Sequence, residues 1–157
     1  MTALEIFNSL QHSRVGEFIS HQDHMLGATA QLMHVAGLVL VLSSVLLVSL
    51  RLIGHGPRAL TAAQLATATH KLVWTGLGLL LVSGLLMFVP AALLYYPNTF
   101  FRVKFVLLAL ALIVYFTLYR RAARSGQSGT WLSWAAALIS LGLWFGVAVM
   151  GRFIGFF

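Results

Sequence analysis

The sequence has no cysteine and almost no acidic residues. The absence of cysteine excludes disulfides, thiolate metal sites and heme attached through a Cys-x-x-Cys-His motif. Only three carboxylates occur among the 157 residues, namely Glu5, Glu17 and Asp23. The rest of the chain therefore cannot build a buried carboxylate pair for acid–base catalysis or a carboxylate cage for a metal ion. Its polar chemistry has to come from histidine, lysine, arginine and the backbone.

Charged residues of either sign are scarce, and apolar residues dominate. Hydrophobic side chains make up 60% of the chain and charged ones 8%, with a mean hydropathy of +0.93. A small soluble domain cannot bury that much apolar surface, whereas a lipid bilayer accepts it. The net charge of +7 could suggest nucleic-acid binding, but the basic residues lie at the ends of apolar stretches and not on one polar face. We therefore expect an integral membrane protein with the lipid bilayer as a partner and no nucleic acid.

Four apolar stretches are long enough to cross a membrane, which takes about 20 residues for a hydrocarbon layer of roughly 30 Å. The predicted spans are residues 28–53, 72–89, 101–119 and 131–153. We predict an all-α, integral membrane four-helix bundle at residues 28–157, preceded by an outer amphipathic segment at residues 1–27. Apolar residues recur in that segment at roughly helical spacing, which predicts a short interfacial helix, with a disordered tail as the alternative. These residues are Leu4, Phe7, Leu10 and Phe18.

The basic residues indicate an orientation in the membrane. The connections after the first and third spans carry six of the ten basic residues, and the connection at residues 90–98 carries no charge. The positive-inside rule assigns the two basic connections to the cytoplasm, so both termini and all three carboxylates lie outside. The six residues are Arg51, Arg58, Lys71, Arg120, Arg121 and Arg124.

Among the histidines, His34 is the strongest functional candidate. It lies on the order of 9 Å inside the first span, at 1.5 Å per residue, where an ionisable side chain is costly. The antiparallel order brings three other residues to about the same depth: Met87, Lys104 and Met150. A His–Met pair, or His34 with Lys104 and Arg102 facing propionates, would hold a noncovalent b-type heme. The alternative is that His34 only bonds a neighbouring helix and Lys104 extends to the membrane surface.

A second candidate site is formed by His21 and His24. Two imidazoles three residues apart share one helical face, and Asp23 lies beside them. This arrangement suits copper or zinc at the outer surface, and the alternative is an ordinary polar interface. A copper-handling protein would draw on His21, His24, His34, Met87 and Met150.

Five short motifs follow one another along the chain: MHVAGL (33–38), LRLIG (50–54), WTGL (74–77), SGLLMF (83–88) and NTFFRVK (98–104). Their order resembles an uncharacterised family of small four-helix bacterial inner-membrane proteins, over about residues 28–153. The resemblance implies a multi-pass protein of the bacterial inner (cytoplasmic) membrane, and the charge pattern then makes both termini periplasmic. More distantly, the order of His34, Arg51 and Lys104 is similar to that in heme-binding membrane protoporphyrinogen oxidases and copper-resistance D-type membrane proteins.

This distant resemblance implies heme binding more than oxidase activity. The oxidase family carries Trp and Tyr after its first histidine, and this chain has Val41 and Leu47 in that region. We therefore expect a b-type heme-binding or redox-associated subunit, and no enzymatic activity is assigned. One alternative is a non-catalytic scaffold, as a homo-oligomer or a subunit of a larger complex, that packs through the G-x-x-x-G pair Gly142 and Gly146. The other is copper transport or copper handling.

Overall fold

The computed structural model describes residues 2–22, 24–56, 59–125 and 128–156, with the backbone but not the side chain of His24. Within these ranges all regular secondary structure is helical. A 3₁₀ turn at Val89–Ala91 joins α4 to α5, and a π-helical turn at Tyr115–Tyr119 joins α6 to α7. The α-helices are α1 (Ala3–Gln11), α2 (Arg14–Ser20), α3 (His24–Ile53), α4 (Ala62–Phe88), α5 (Ala92–Tyr95), α6 (Thr99–Val114), α7 (Arg120–Arg124) and α8 (Trp131–Phe153).

Four helical segments are long and apolar enough to cross a membrane, which confirms the predicted all-α fold. The chain is therefore a multi-pass membrane protein. Neighbouring segments are antiparallel, since His34 of α3 meets Ser83 of α4 while Gly37 meets Gly76. We call the end where α3 begins and α8 ends the termini end, and the opposite end, which carries Arg51 and α7, the basic end. The four segments are Met25–Ile53, Ala62–Tyr95, Thr99–Arg124 and Trp131–Phe153.

The second membrane helix starts earlier than the sequence pattern predicts. α4 begins at Ala62, whereas the predicted span begins at residue 72. The Thr61 side chain accepts a hydrogen bond from the Gln64 amide, and the Gln64 side chain accepts one from the Thr61 amide. This capping box begins a helix through polar residues that a hydropathy criterion rejects. His70, which precedes the predicted span, therefore lies well inside α4.

The N-terminal segment contains two helices where one was predicted. The Ser13 side chain accepts a hydrogen bond from the Gly16 amide, and this cap begins α2 directly after α1 ends. α1 packs on the connection between α4 and α6, where the Leu93 amide donates to Gln11 Oε1 at 2.9 Å. The Phe7 ring meets the Phe88 ring edge-on at 5.6 Å. The segment is thus helical and covers the termini end.

Glycines allow the membrane helices to approach one another. A Cβ on Gly37 would lie 2.8 Å from the Gly76 carbonyl oxygen, so the α3 and α4 backbones are nearly in contact. The two glycines of the predicted pair in α8 have different surroundings. A Cβ on Gly146 would lie 3.2 Å from Leu107 Cδ1 of α6, whereas Gly142 has no neighbour within 4 Å among the described atoms. Gly146 therefore packs inside the chain.

The π-helical turn brings a tyrosine into the core near the basic end. Tyr119 is 2% exposed, and its hydroxyl donates to the Val45 carbonyl at 2.7 Å. The same hydroxyl lies 3.3 Å from Ser49 Oγ. Because these contacts join the third span to the first, they fix the register of α3 against the helices that follow α6.

Candidate functional site

Three polar side chains, one each from α3, α4 and α6, contact one another in series near the termini end. We call the series His34, Ser83 and Lys104 the polar chain. His34 Nδ1 lies 2.9 Å from Ser83 Oγ, and Lys104 Nζ lies 3.4 Å from His34 Nε2. Ser83 is fully buried, and the other two side chains are partly buried. The structure thus brings together His34 and Lys104, which the sequence had assigned to one depth, and it adds Ser83.

The hydrogen bonds of Ser83 indicate where the imidazole proton lies. The Ser83 hydroxyl donates to the Leu79 carbonyl, so its only hydrogen is used. Ser83 Oγ then accepts from His34 Nδ1–H, and the lone pair of His34 Nε2 faces Lys104 Nζ. These contacts fit the Nδ1–H tautomer of a neutral imidazole, with a partner at each nitrogen.

Two glycines leave room for these side chains. A Cβ on Gly84 would lie 3.5 Å from His34 Cε1, and a Cβ on Gly151 would lie 3.4 Å from Lys104 Nζ. Longer side chains at either position would occupy the space that the imidazole and the ammonium group now fill. Small residues from α4 and α8 therefore complete the pocket around the His34–Lys104 pair.

The His34–Lys104 pair has no acidic counterpart in the body of the chain. No aspartate or glutamate follows Asp23 in the sequence, so a proton on this pair is not neutralised by any later side chain. Two positive charges at this separation would repel strongly in a medium of low dielectric constant. The pair therefore suits one exchangeable proton at a time, held between two basic groups.

The other predicted heme residues have different surroundings. Arg102 is exposed, and its Nη2 donates to the Tyr96 backbone carbonyl at 3.0 Å. The Arg102 guanidinium also lies 6.0 Å from the centre of the Tyr96 ring. Met87 lines a cavity next to the site, and Met150 is half-buried on α8. The heme ligand set stays a prediction. Of its members, the structure brings His34 together with the basic Lys104.

The predicted metal site at His21 and His24 is described only in part. His21 is exposed, and its Nδ1 donates to the Glu17 carbonyl at 2.7 Å, which leaves Nε2 for other ligands. Asp23 and the His24 side chain lie outside the described residues. In the part of the chain that is described, no group of three or more His, Cys, Asp or Glu side chains is arranged to hold a metal ion. The copper or zinc site stays a prediction.

A cavity of about 380 Å³ lies at the termini end, lined by residues of α2, α3 and α4. Two of its lining residues lie one helical turn from members of the polar chain. On α3, Gln31 lies one turn before His34, and on α4, Met87 lies one turn after Ser83. Its lining includes polar side chains and apolar side chains. The polar ones include Ser20, Gln22, Gln31 and Tyr95, and the apolar ones include Leu26 and Met87.

Ser83 was not among the site residues predicted from the sequence, although a signal for it was present. Ser83 is the one hydroxyl residue between Gly76 and Phe88, in an otherwise apolar stretch of the second span. A single polar residue at membrane depth requires a partner, and His34 is the nearest group in depth that could supply one. Searching the other spans for hydroxyls as well as for thioethers would have identified it.

One family comparison matches most of the chain. A family model described as a family of unknown function (DUF6644) matches residues 7–157. The chain belongs to this family. Because the DUF6644 match starts within α1, it includes α2 and all four membrane segments. This confirms the resemblance to an uncharacterised family, while those to heme-binding oxidases and copper-resistance proteins stay predictions. No curated protein and no solved structure matches the chain.

Proposed function

We propose that this protein is a redox-associated membrane subunit whose His34–Lys104 pair exchanges protons with a quinone-type carrier in the adjacent cavity. The observation that carries the proposal is the polar chain Lys104–His34–Ser83, held one helical turn from a cavity with both polar and apolar lining. An ionisable pair inside a membrane bundle is costly, and such pairs are typical of proton-transfer sites.

The cavity has the chemistry that a quinone ring requires. A quinone presents two carbonyl oxygens, which accept hydrogen bonds, on a flat ring with an apolar tail. The side-chain amides of Gln22 and Gln31 and the hydroxyl of Tyr95 are donors in the lining. Leu26 and Met87 supply apolar wall. A few polar groups within an apolar pocket are the usual composition of a small-molecule site.

Proton exchange gives the basic pair a role. Reduction of a quinone to a quinol consumes two electrons and two protons. The pair would deliver one proton at a time from Lys104 Nζ or His34 Nε2 and would be reprotonated from the solvent at the termini end. The electrons would come from a heme or iron–sulfur group of a partner subunit, in keeping with the expectation that the chain is part of a larger membrane complex.

A b-type heme on His34 remains the alternative cofactor proposal. Both imidazole nitrogens already have partners, so iron ligation through Nε2 would require Lys104 to leave its present position. Lys104 would then be free to pair with a propionate. The current geometry supports proton exchange more directly, because it uses the contacts as they stand.

The test is binding and reduction of a short-chain ubiquinone analogue by the purified protein in quinone-free nanodiscs. Gln31→Leu should weaken binding about tenfold, the equivalent of one hydrogen bond to the ring. Lys104→Met should change the dissociation constant less but slow the reduction of bound quinone by dithionite about tenfold or more, because the proton donor is lost. Lys71→Met, an exposed residue on α4 away from the site, is the matched control and should change neither value.

Two results would count against the quinone proposal. One is that the unaltered protein fails to bind the analogue, and the other is that Gln31→Leu binds as tightly as Lys71→Met. The visible spectrum of the same preparation, from heme-replete cells, tests the alternative. A Soret band that His34→Ala abolishes would favour a heme at this site.

A further inference from the structure

A second cavity, of about 310 Å³, lies at the basic end between α7 and the start of α8. Arg121 lines one side of it, and Thr130 and Trp131 line the other. The Trp131 side chain is 80% exposed, as is common for tryptophan at the level of lipid headgroups. The cavity is therefore positioned where a membrane segment meets the polar surface of the bilayer.

The Arg121 guanidinium is exposed and has no ionic or hydrogen-bonding partner among the residues that the structure describes. The two neighbouring arginines of α7 do not line the cavity. Arg120 lies over the Phe116 ring at 5.9 Å. Arg124 is exposed and is not part of the cavity lining. Glu5 and Glu17 belong to α1 and α2 at the opposite end, and no acidic residue follows Asp23 in the sequence. An anion that pairs with the Arg121 guanidinium at this cavity would therefore come from outside the chain.

We propose that this cavity binds the phosphate headgroup of an anionic glycerophospholipid, with Arg121 as the principal contact and Trp131 packed against the glycerol and upper acyl region. The planar guanidinium offers paired N–H donors that match two phosphate oxygens. The amides in the first turn of α8, which adjoin the cavity, add favourable partial positive charge. A lipid satisfies the headgroup and the exposed indole together, whereas free phosphate satisfies only the first.

Native mass spectrometry of the detergent-purified chain tests the site. The protein is mixed with equal amounts of phosphatidylglycerol and phosphatidylcholine that carry the same acyl chains. The unaltered protein should retain phosphatidylglycerol preferentially, and Arg121→Gln should reduce this preference at least fivefold. Arg124→Gln, the matched control one turn along the same helix, should leave it unchanged. Arg121→Lys should restore part of it, because the charge is kept and the paired donors are lost.

A second variant keeps the test valid if Arg121→Gln fails to fold. Ser125→Leu leaves the arginine in place and fills part of the cavity, so it should also reduce retention of phosphatidylglycerol. Equal loss of preference in Arg121→Gln and Arg124→Gln would overturn the proposal and indicate unspecific charge attraction. Displacement of the lipid by millimolar inorganic phosphate would overturn it as well, because the site would then recognise the free anion.

Discussion

At the scale of single residues, buried hydroxyls in this bundle differ in whether they have partners. Ser83 is fully buried and bonds both to His34 and to a backbone carbonyl. Ser140 is equally buried, yet its Oγ has no hydrogen-bond partner among the described residues, and neither has Trp144 Nε1 one turn along α8. An unpaired buried polar group costs free energy that its apolar replacement avoids. Ser83 and Ser140 should therefore respond in opposite directions to the same substitution.

The first prediction is that Ser140→Ala raises the free energy of unfolding, by about 1 kcal/mol, because it removes an unsatisfied hydroxyl without changing the packing volume much. Ser83→Ala should lower it by a similar amount, since His34 Nδ1 loses its acceptor. Thermal unfolding in detergent measures both. Ser43→Ala, an exposed position on α3, controls for the loss of a hydroxyl as such. A destabilised Ser140→Ala protein would contradict the prediction.

At the scale of helices, the closest approach is between α3 and α4. Gly37 and Gly76 face each other there, and a Cβ on either would lie under 3 Å from the carbonyl oxygen of the other. Backbone atoms cannot move aside as a flexible side chain can, so a methyl group at this point must push the helices apart. The same two helices carry His34 and Ser83, so the distance between the helices determines whether the His34–Ser83 hydrogen bond can form.

The second prediction is that Gly37→Ala or Gly76→Ala destabilises the protein by about 1–3 kcal/mol, the usual cost of overpacking. Gly78→Ala is the matched control on the same helix, because a Cβ at Gly78 meets no described atom within 4 Å. The control should be neutral or slightly stabilising, since alanine favours helix over glycine. Thermal unfolding of the three variants in one detergent decides the matter. Equal stability of Gly76→Ala and Gly78→Ala would contradict the close approach.

At the scale of the whole molecule, the described carboxylates all lie at one end, whereas the described charged side chains at the other end are all basic. The described carboxylates belong to α1 and α2 at the termini end, while Arg51 and the three arginines of α7 lie at the basic end. The positive-inside rule predicts that the basic end of the bundle faces the cytoplasm. With this predicted orientation, the proposed quinone site would lie in the periplasmic leaflet and the proposed lipid site in the cytoplasmic leaflet.

The third prediction follows from that orientation. A reporter fused after Phe157 should be active only if it functions in the periplasm, and one inserted near Gly126 only if it functions in the cytoplasm. Alkaline phosphatase and green fluorescent protein fusions at both sites provide the measurement. Reversal of two charges, as in Arg120→Glu with Arg121→Glu, should weaken the preference, because the rule depends on basic residues in short connections. The opposite reporter pattern would exchange the leaflets of the two proposed sites.

The sequence alone determined the class of the protein and the depth of its main polar residues. Apolar stretches of membrane length are a local property of the chain, so four spans could be counted without any knowledge of packing. The depth of His34 and Lys104 followed from helical rise and alternating direction, and these two residues do meet. The start of α4 was misplaced because Thr61 and Gln64 begin a helix by hydrogen bonding, which hydropathy does not measure.

Only the tertiary structure decided which side chains face one another. Helical rise gives depth but not rotation about the helix axis, so Ser83, Met87 and Lys104 were all possible neighbours of His34. The close approach of Gly37 and Gly76 sets the rotation of α4 against α3 and brings Ser83 to the imidazole. The cavity beside this site depends on helices distant in sequence, since α2, α3 and α4 each contribute to its wall. Such joint geometry is a property of packing, which one sequence does not encode in any single local pattern.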